Sequence, residues 1–300
     1  MTTENTVLAQ LIAALRAGDL DFAAPPLQTR ANFEGMLTTL PVQPDLTFTN
    51  DTLAGVPTLR IGSPGVAEDG ALLHLHGGAF IAGSAQAYRG LVGELARATG
   101  VIGYAVDYRL APEAPFPAAV DDSVAAYQAL LARGLPANRI VLTGDSAGGG
   151  LVISTLVALR DAGLPLPAAA LVISPWADLT GTAASRVTKA AADPSLTSAG
   201  LDAVAPHYLN GTPAMHPLAS PIYADLTGLP PLLIHVGSTE VLLDDAIRLA
   251  GVAGAANVAV RLEVWPDMPH VWHTFHFMLD EGREAIAGAG DFLRNALKGN

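Results

Sequence analysis

The chain has 300 residues, of which 50% are hydrophobic and 15% are charged. A charged share below the usual value of about 25% excludes a disordered chain and indicates a large core. The 16 Lys and Arg against 28 Asp and Glu give a net charge of −12, which argues against nucleic-acid or anionic-membrane partners, since these require basic patches. The absence of Cys excludes disulfides, thiolate catalysis and Cys-ligated metals.

The first 40 residues have a helical pattern and no strand signals. Residues 1–18 contain an apolar stretch but also Glu4, and they lack a basic start, so they favour an amphipathic helix over a signal peptide. No apolar run reaches the roughly 18 residues that cross a membrane. We therefore expect a cytoplasmic protein without a membrane partner.

After residue 45, short apolar runs alternate with helical stretches, which predicts a mostly parallel sheet covered by helices on both faces. The eight predicted strands are Leu46–Thr49, Val56–Ile61, Ala71–Leu75, Val101–Val106, Arg139–Thr143, Ala169–Ile173, Leu232–Val236 and Val258–Val264. The first two flank a turn-like segment, NDTLAG, and are predicted to form an antiparallel hairpin. The predicted helices lie near residues 86–99, 117–133, 147–162, 241–254 and 273–297.

One interval, from Asp178 to Pro230, is longer than a single crossover helix requires. It contains DPSLTSAGLDAVAPHYL, which is typical of a capped helix. We expect residues 180–215 to form an insertion above the sheet. Together with residues 1–45 it would cap a catalytic domain of residues 46–300 and shape a binding pocket.

The most informative segment is Gly144-Asp145-Ser146-Ala147-Gly148, which joins a predicted strand to a predicted helix. This is the G-x-S-x-G pattern in the strand–turn–helix context of a nucleophile elbow. The turn is so tight that side chains at Gly144 and Gly148 would clash with its neighbours. Ser146 is the candidate nucleophile, and the Ala147 N–H at the helix start is a candidate oxyanion donor.

A second glycine motif, His76-Gly77-Gly78-Ala79-Phe80, follows the third predicted strand. Glycines allow backbone N–H groups to approach a substrate oxygen closely, as an oxyanion hole requires. We therefore predict Gly77 and Gly78 as donors beside Ala147. Ala79 departs from the HGGG pattern of lipases and esterases but keeps its N–H group.

These motifs, with DYRLAPE (107–113), SPWADLT (174–180) and the MPHVWHTF segment, resemble the hormone-sensitive-lipase group of α/β-hydrolase esterases. The resemblance runs from about residue 45 to the C-terminus, and the motifs fall in the family's order and spacing. It implies an α/β-hydrolase fold with an eight-stranded, mostly parallel sheet, helices on both faces and a helical cap. It also implies hydrolysis of short-acyl carboxylic esters.

A catalytic base and an acid must follow the serine in this fold, in the order Ser, Asp or Glu, His. Of the eight histidines, His270 alone lies on a loop after a late strand, from which it can reach Ser146. His273 and His276 are expected on the following helix, and their spacing without an H-E-x-x-H motif does not favour a metal site.

For the acid, the family usually has Asp-Pro-Leu-x-Asp, with the first Asp in the triad. Matched residue by residue, Glu240 takes that place and Val241 replaces the Pro. Asp244, one helical turn later, stays open as the alternative. We also expect Arg109 and Glu113 to pair with each other or with Asp145. Pocket candidates are Phe80, Trp176, Tyr208 and Phe275, and Trp176 fits a buried aromatic at a strand end equally well.

The predicted reaction is ester hydrolysis through an acyl-enzyme, with no metal or organic cofactor and a small-molecule ester as substrate. The same triad could cleave a lactone, carbamate or amide, because the pocket rather than the triad selects the substrate. A ligand-binding homologue with a decayed triad is disfavoured by the intact Ser146 and His270. A haloalkane-type hydrolase would need a carboxylate nucleophile. A second copy of this chain, in a homodimer, is the protein partner that we predict.

Overall fold

A single eight-stranded sheet forms the centre of the protein, in the order β1-β2-β4-β3-β5-β6-β7-β8. The structure is a computed structural model that describes residues 3–18 and 20–299. The strands are β1 Thr47–Leu53, β2 Val56–Gly62, β3 Ala67–Leu75, β4 Val101–Val106, β5 Ile140–Asp145, β6 Ala169–Ile173, β7 Leu232–Gly237 and β8 Val260–Trp265. Strand β2 is antiparallel to β1 and β4, and all other pairings are parallel.

Helices flank the sheet, so the predicted eight-stranded, mostly parallel sheet with helices on both faces is confirmed. The helices are α1 Thr3–Ala17, α2 Pro26–Thr38, α3 Arg89–Thr99, α4 Ala118–Ala132, α5 Ala147–Asp161, α6 Ser185–Thr188, α7 Ser198–Leu209, α8 Leu243–Ala255 and α9 Asp280–Leu297. Every residue of β5, β6 and β7 is buried. Continuous apolar strands of this kind result when helices cover both faces of a parallel sheet.

The parallel strands place six loops side by side at one edge of the sheet. Leu75 pairs with Val106 and Gly144, Asp145 with Ile173, and Gly237 with Trp265. Since the carboxyl ends of parallel strands share an edge, the loops after β3, β4, β5, β6, β7 and β8 are neighbours there. The sequence motifs singled out above occupy these loops.

Several boundaries differ from the sequence-based predictions by a few residues, and two of these differences change the local structure. Strand β1 continues through Asp51 and Leu53, and only Ala54 and Gly55 form the turn, both at positive φ. Such a two-residue turn matches the strand twist, so the polar NDT residues can stay in the ladder. The helix predicted over 273–297 is two elements, a 3₁₀ turn at Trp272–Phe275 and α9.

The predicted helical N-terminus is observed as α1 and α2, while Met1, Thr2 and Asp19 lie outside the described residues. The long interval contains α6 and α7. Thr197 begins α7 by accepting a hydrogen bond from Gly200 N–H at 3.0 Å. No helix among residues 3–18 and 20–299 is long and apolar enough to span a bilayer.

Candidate active site

The turn after β5 holds Ser146 in a strained backbone conformation, with φ 53° and ψ −122°. Its N–H donates to Ile173 O at 2.8 Å, and its carbonyl accepts from Trp176 N–H at 2.8 Å. Non-glycine residues rarely adopt such angles, and they persist where the surrounding structure enforces them. Ser146 is the N-cap residue of α5, at the point where the helix dipole favours negative charge.

Glycine is required on both sides of this turn because backbone atoms press against it. A Cβ at Gly144 would lie 2.4 Å from Gly148 O, and one at Gly148 would lie 1.9 Å from Leu75 O. Real Cβ atoms do not approach so closely. The G-x-S-x-G spacing is thus a consequence of packing between the elbow and the end of β3.

The loop after β7 places Glu240 beside His270. Glu240 is fully buried, and its Oε2 lies 2.7 Å from His270 Nδ1. Its Oε1 accepts from Ser174 Oγ at 2.7 Å and from Gly237 N–H at 2.6 Å. Ser174 Oγ in turn accepts from Val271 N–H at 3.3 Å. Both oxygens of the Glu240 carboxylate therefore have hydrogen-bond partners, and these fix its orientation toward the imidazole.

The pKa of His270 lies above its ordinary value near 6.5. Burial acts to lower this pKa, but the charge and the hydrogen bond of Glu240 outweigh it, and the charges of Asp193 and Asp145 act in the same direction. A base with a raised pKa accepts a proton more readily, provided that it is neutral at the working pH.

Asp244, the alternative acid, has other partners. Its Oδ2 accepts from Ser185 N–H at 2.8 Å, and its own N–H donates to Ser185 Oγ at 3.0 Å. These contacts join α8 to α6, away from the imidazole. Among the described residues, it is Glu240 and not Asp244 that contacts His270.

The glycine loop after β3 presents free N–H groups beside the elbow. Gly78, Ala79 and Ala147 have N–H groups without a hydrogen-bond partner in the part of the chain that the structure describes. The Gly77 N–H, however, donates to Asp145 Oδ1 at 3.1 Å. Gly77 was predicted as an oxyanion donor, and this prediction requires correction, because a buried carboxylate already occupies the group.

Asp145 braces the glycine loop rather than binding Arg109 or Glu113. Its Oδ2 accepts from Tyr88 Oη at 2.9 Å, and its Oδ1 lies 3.2 Å from His74 Nε2. The expectation for the two DYRLAPE residues was wrong. Arg109 pairs with Asp122 at 2.8 Å and Glu113 pairs with Arg30 at 2.5 Å, because α4 and α2 bring these groups closer.

His273 and His276 have protein groups as partners within the described residues. His273 is buried, and its Nε2 lies 3.0 Å from His235 Nδ1. Burial, reinforced by the two neighbouring imidazoles, holds the pKa of His273 well below its ordinary value, so the ring is neutral. No group of three or more His, Asp or Glu side chains among residues 3–18 and 20–299 is arranged to hold a metal ion.

A cavity of about 670 Å³ opens over the elbow. Ser146 and His270 both line it, together with Gly78. Its walls are mainly apolar and come from α1, α2 and residues 193–197. The apolar side chains on these walls include Leu11, Leu15, Phe22, Phe33, Met36, Leu37, Leu196 and Phe275.

A model of the alpha/beta hydrolase fold family matches residues 72–274. The chain is 46% identical to an esterase of the bacterial hormone-sensitive lipase family, with a TM-score of 0.94 over 99% of this chain and 100% of that one. This chain is an α/β-hydrolase of the hormone-sensitive-lipase-like group.

Two further relatives of this α/β-hydrolase have informative names. It is 56% identical to an acetyl-hydrolase from Streptomyces hygroscopicus, over 75% of each chain. It is also similar to the structure of EstE5 soaked with p-nitrophenyl butyrate, with 46% identity and a TM-score of 0.93, over 97% of this chain and 99% of that one. These relatives place the chain among hydrolases of carboxylic esters.

The aromatic pocket candidates divide into two groups. Phe275 lines the cavity of this α/β-hydrolase. Phe80, Tyr208 and Trp176 do not; they form a buried cluster in which the Phe80 and Tyr208 rings stack with centroids 3.7 Å apart. Phe80 and Tyr208 were predicted as pocket residues, but packing between the β3 loop and α7 buries them, and Trp176 is buried as its alternative interpretation expected.

Sequence reasoning missed Tyr88, Ser174 and Asp193, which contact the site from other elements. Ser174 follows β6, the neighbour of β7. This position at the carboxyl edge of the sheet was a signal that could have identified it as a residue that contacts the site. Tyr88 precedes α3, and no sequence motif marks it. Asp193 lies in the insertion, where no strand register indicates its position.

We expect Gly148→Ala to destabilise the α/β-hydrolase by about 1–3 kcal/mol or more, because the new Cβ would meet the rigid carbonyls of Leu75 and His76. Gly288→Ala is the matched control. Gly288 is exposed on α9 with no atom within 4 Å of the added Cβ, so Ala should stabilise that helix slightly. Urea unfolding measures both. Equal midpoints for Gly148→Ala and the wild type would contradict the elbow packing.

Proposed function

We propose that this α/β-hydrolase cleaves short-acyl carboxylic esters by nucleophilic catalysis, with Ser146, His270 and Glu240 as its catalytic triad. Membership of a family of carboxylesterases makes it a hydrolase of carboxylic ester bonds. The observation that carries the finer proposal is the 2.7 Å contact between His270 and a fully buried Glu240, beside the cavity that Ser146 also lines.

The reaction begins when Ser146 Oγ attacks the ester carbonyl and His270 Nε2 accepts the Oγ proton. Glu240 accepts a hydrogen bond from His270 Nδ1, which leaves Nε2 as the basic nitrogen and stabilises the imidazolium. His270 then protonates the leaving alcohol as the acyl-enzyme forms. Water, deprotonated by the same imidazole, attacks the acyl-enzyme and releases the acid and free Ser146.

The oxyanion of each tetrahedral intermediate needs donors that are already in place. We propose the N–H groups of Gly78, Ala79 and Ala147, since these have no other partner among the described residues. The Gly77 N–H instead holds Asp145 and so fixes the loop. The departure from HGGG at Ala79 does not remove a donor.

We further propose that α1, α2 and residues 180–215 act as a cap over residues 46–300. This rests on the cavity walls, which are formed by the N-terminal helices and by residues 193–197. The homodimer and the cytoplasmic location stay predictions from the sequence.

We expect the highest kcat/KM with acyl chains of roughly two to eight carbons, because the cavity is apolar but bounded by the cap. The p-nitrophenyl butyrate used with EstE5 is an ester of this class. A panel of p-nitrophenyl esters of rising acyl length, run beside lactones, amides and emulsified long-chain triglyceride, tests this. Higher turnover on the triglyceride would contradict the chain-length preference, and higher turnover on lactones or amides would favour the other acyl-transfer chemistries.

A further inference from the structure

One carboxylate in the insertion is tied to the loop that carries Glu240. Asp193 is buried, at 8% exposure. Its Oδ1 accepts from the N–H groups of Ser195 and Leu196, at 2.8 and 3.0 Å. Its Oδ2 accepts from Val241 N–H at 2.8 Å. Because Val241 follows Glu240, the peptide between the triad acid and its neighbour is anchored by Asp193.

The uncharged side chain of Ser185 also holds this loop through hydrogen bonds. Ser185 Oγ donates to Val241 O at 2.7 Å and accepts from Asp244 N–H at 3.0 Å. Val241 is thus held by its N–H and by its carbonyl, from two different points of the insertion. The Asp193 side chain carries a negative charge and the Ser185 side chain does not. The effect of the charge can therefore be measured separately from the effect of losing a hydrogen bond to Val241.

Asp193 also lines the cavity that Ser146 and His270 line, and its charge acts on His270. Burial raises the pKa of Asp193, while the charge of His270 and the backbone N–H groups oppose this. Three N–H donors on its two oxygens suit the ionised form. The charged groups that act on His270 are Glu240, Asp193 and Asp145, all of them acidic.

We propose that Asp193 is a positioning residue for ester hydrolysis, which holds the Glu240–Val241 peptide in place and adds a second negative charge to stabilise the His270 imidazolium. This inference rests on the proposed triad. It assigns the insertion a role in organising the catalytic machinery as well as in shaping the pocket. Asp193 touches none of the reacting atoms and acts through Glu240 and His270.

The test is Asp193→Asn, assayed on p-nitrophenyl butyrate over a range of pH. We expect kcat to fall about tenfold with KM within about twofold, because the imidazolium forms after the substrate has bound. The acid limb of the kcat/KM profile should move to lower pH, since loss of the negative charge makes His270 easier to deprotonate. Asp193→Glu, which keeps the charge, should restore the position of that limb.

Ser185→Ala is the matched control, because it removes the hydrogen bond from an uncharged side chain to Val241. Its acid limb should stay at the wild-type pH. An Asp193→Asn enzyme whose acid limb does not move, or whose kcat falls only as far as that of Ser185→Ala, would overturn the proposal. If Asp193→Asn does not fold, Asp193→Ser removes the charge and can keep the local turn, and the same criteria apply. Failure of the triad itself would show differently, as full activity in Ser146→Ala.

Discussion

Replacing Ser146 with Ala is expected to lower kcat/KM for short esters by about 10⁴–10⁶, because the substitution removes the nucleophile and leaves only binding and the oxyanion donors. The fold should persist. Ser146 already adopts a φ of 53°, so Ala bears the same backbone strain and loses only Oγ. Hydrolysis of p-nitrophenyl acetate and thermal unfolding, measured on the same preparation, separate loss of chemistry from loss of structure.

A covalent probe gives the control for Ser146. An organophosphate should add one adduct to the wild type, on the peptide that contains Ser146, and none to Ser146→Ala. Ser154, a second serine on the same helix, is buried and donates to Gly150 O at 3.2 Å, so Ser154→Ala should leave labelling unchanged. Near-wild-type activity in Ser146→Ala would refute the assignment of the nucleophile.

Replacing Glu240 with Gln is expected to reduce kcat by about 10²–10⁴, because it removes the charge opposite the imidazolium and reverses the hydrogen-bond polarity at His270. Ser174 Oγ and Gly237 N–H both donate to Oε1, so the Gln oxygen should occupy that place. Its NH₂ group would then face His270 Nδ1 and favour the tautomer with the proton on Nε2. That tautomer cannot accept the proton of Ser146.

Asp244→Asn is the matched variant for the acid. Asp244 accepts from Ser185 N–H, a contact that an Asn oxygen can keep, so kcat should stay within about tenfold of the wild type. Steady-state kinetics on one ester compares the two variants. If Asp244→Asn loses most of its activity and Glu240→Gln retains most of its activity, the triad acid is Asp244, four residues later than assigned.

Local sequence determined the elements that place the site. The buried strands could be located because a parallel sheet covered on both faces requires continuous apolar runs. The elbow could be located because its geometry admits only glycine at 144 and 148, and this restriction appears directly in the residue types. The boundary errors that changed the local structure lay at the β1–β2 turn and before α9, since turn type and helix starts depend on packing from distant segments.

The partners of the polar groups were decided by the tertiary structure. The sequence could order Ser146, Glu240 and His270 along the chain, and it left Asp244 open because both acidic residues fit the same loop. Only the parallel register of β7 with β8 brings Glu240 to His270, and only the folded insertion brings Asp193 to Val241. Likewise, the sequence identified Gly77 as a residue that allows close approach, but the fold assigned its N–H to Asp145. Residue types limit which bonds a group can form, whereas the bond it does form depends on which partner lies within about 3 Å after folding.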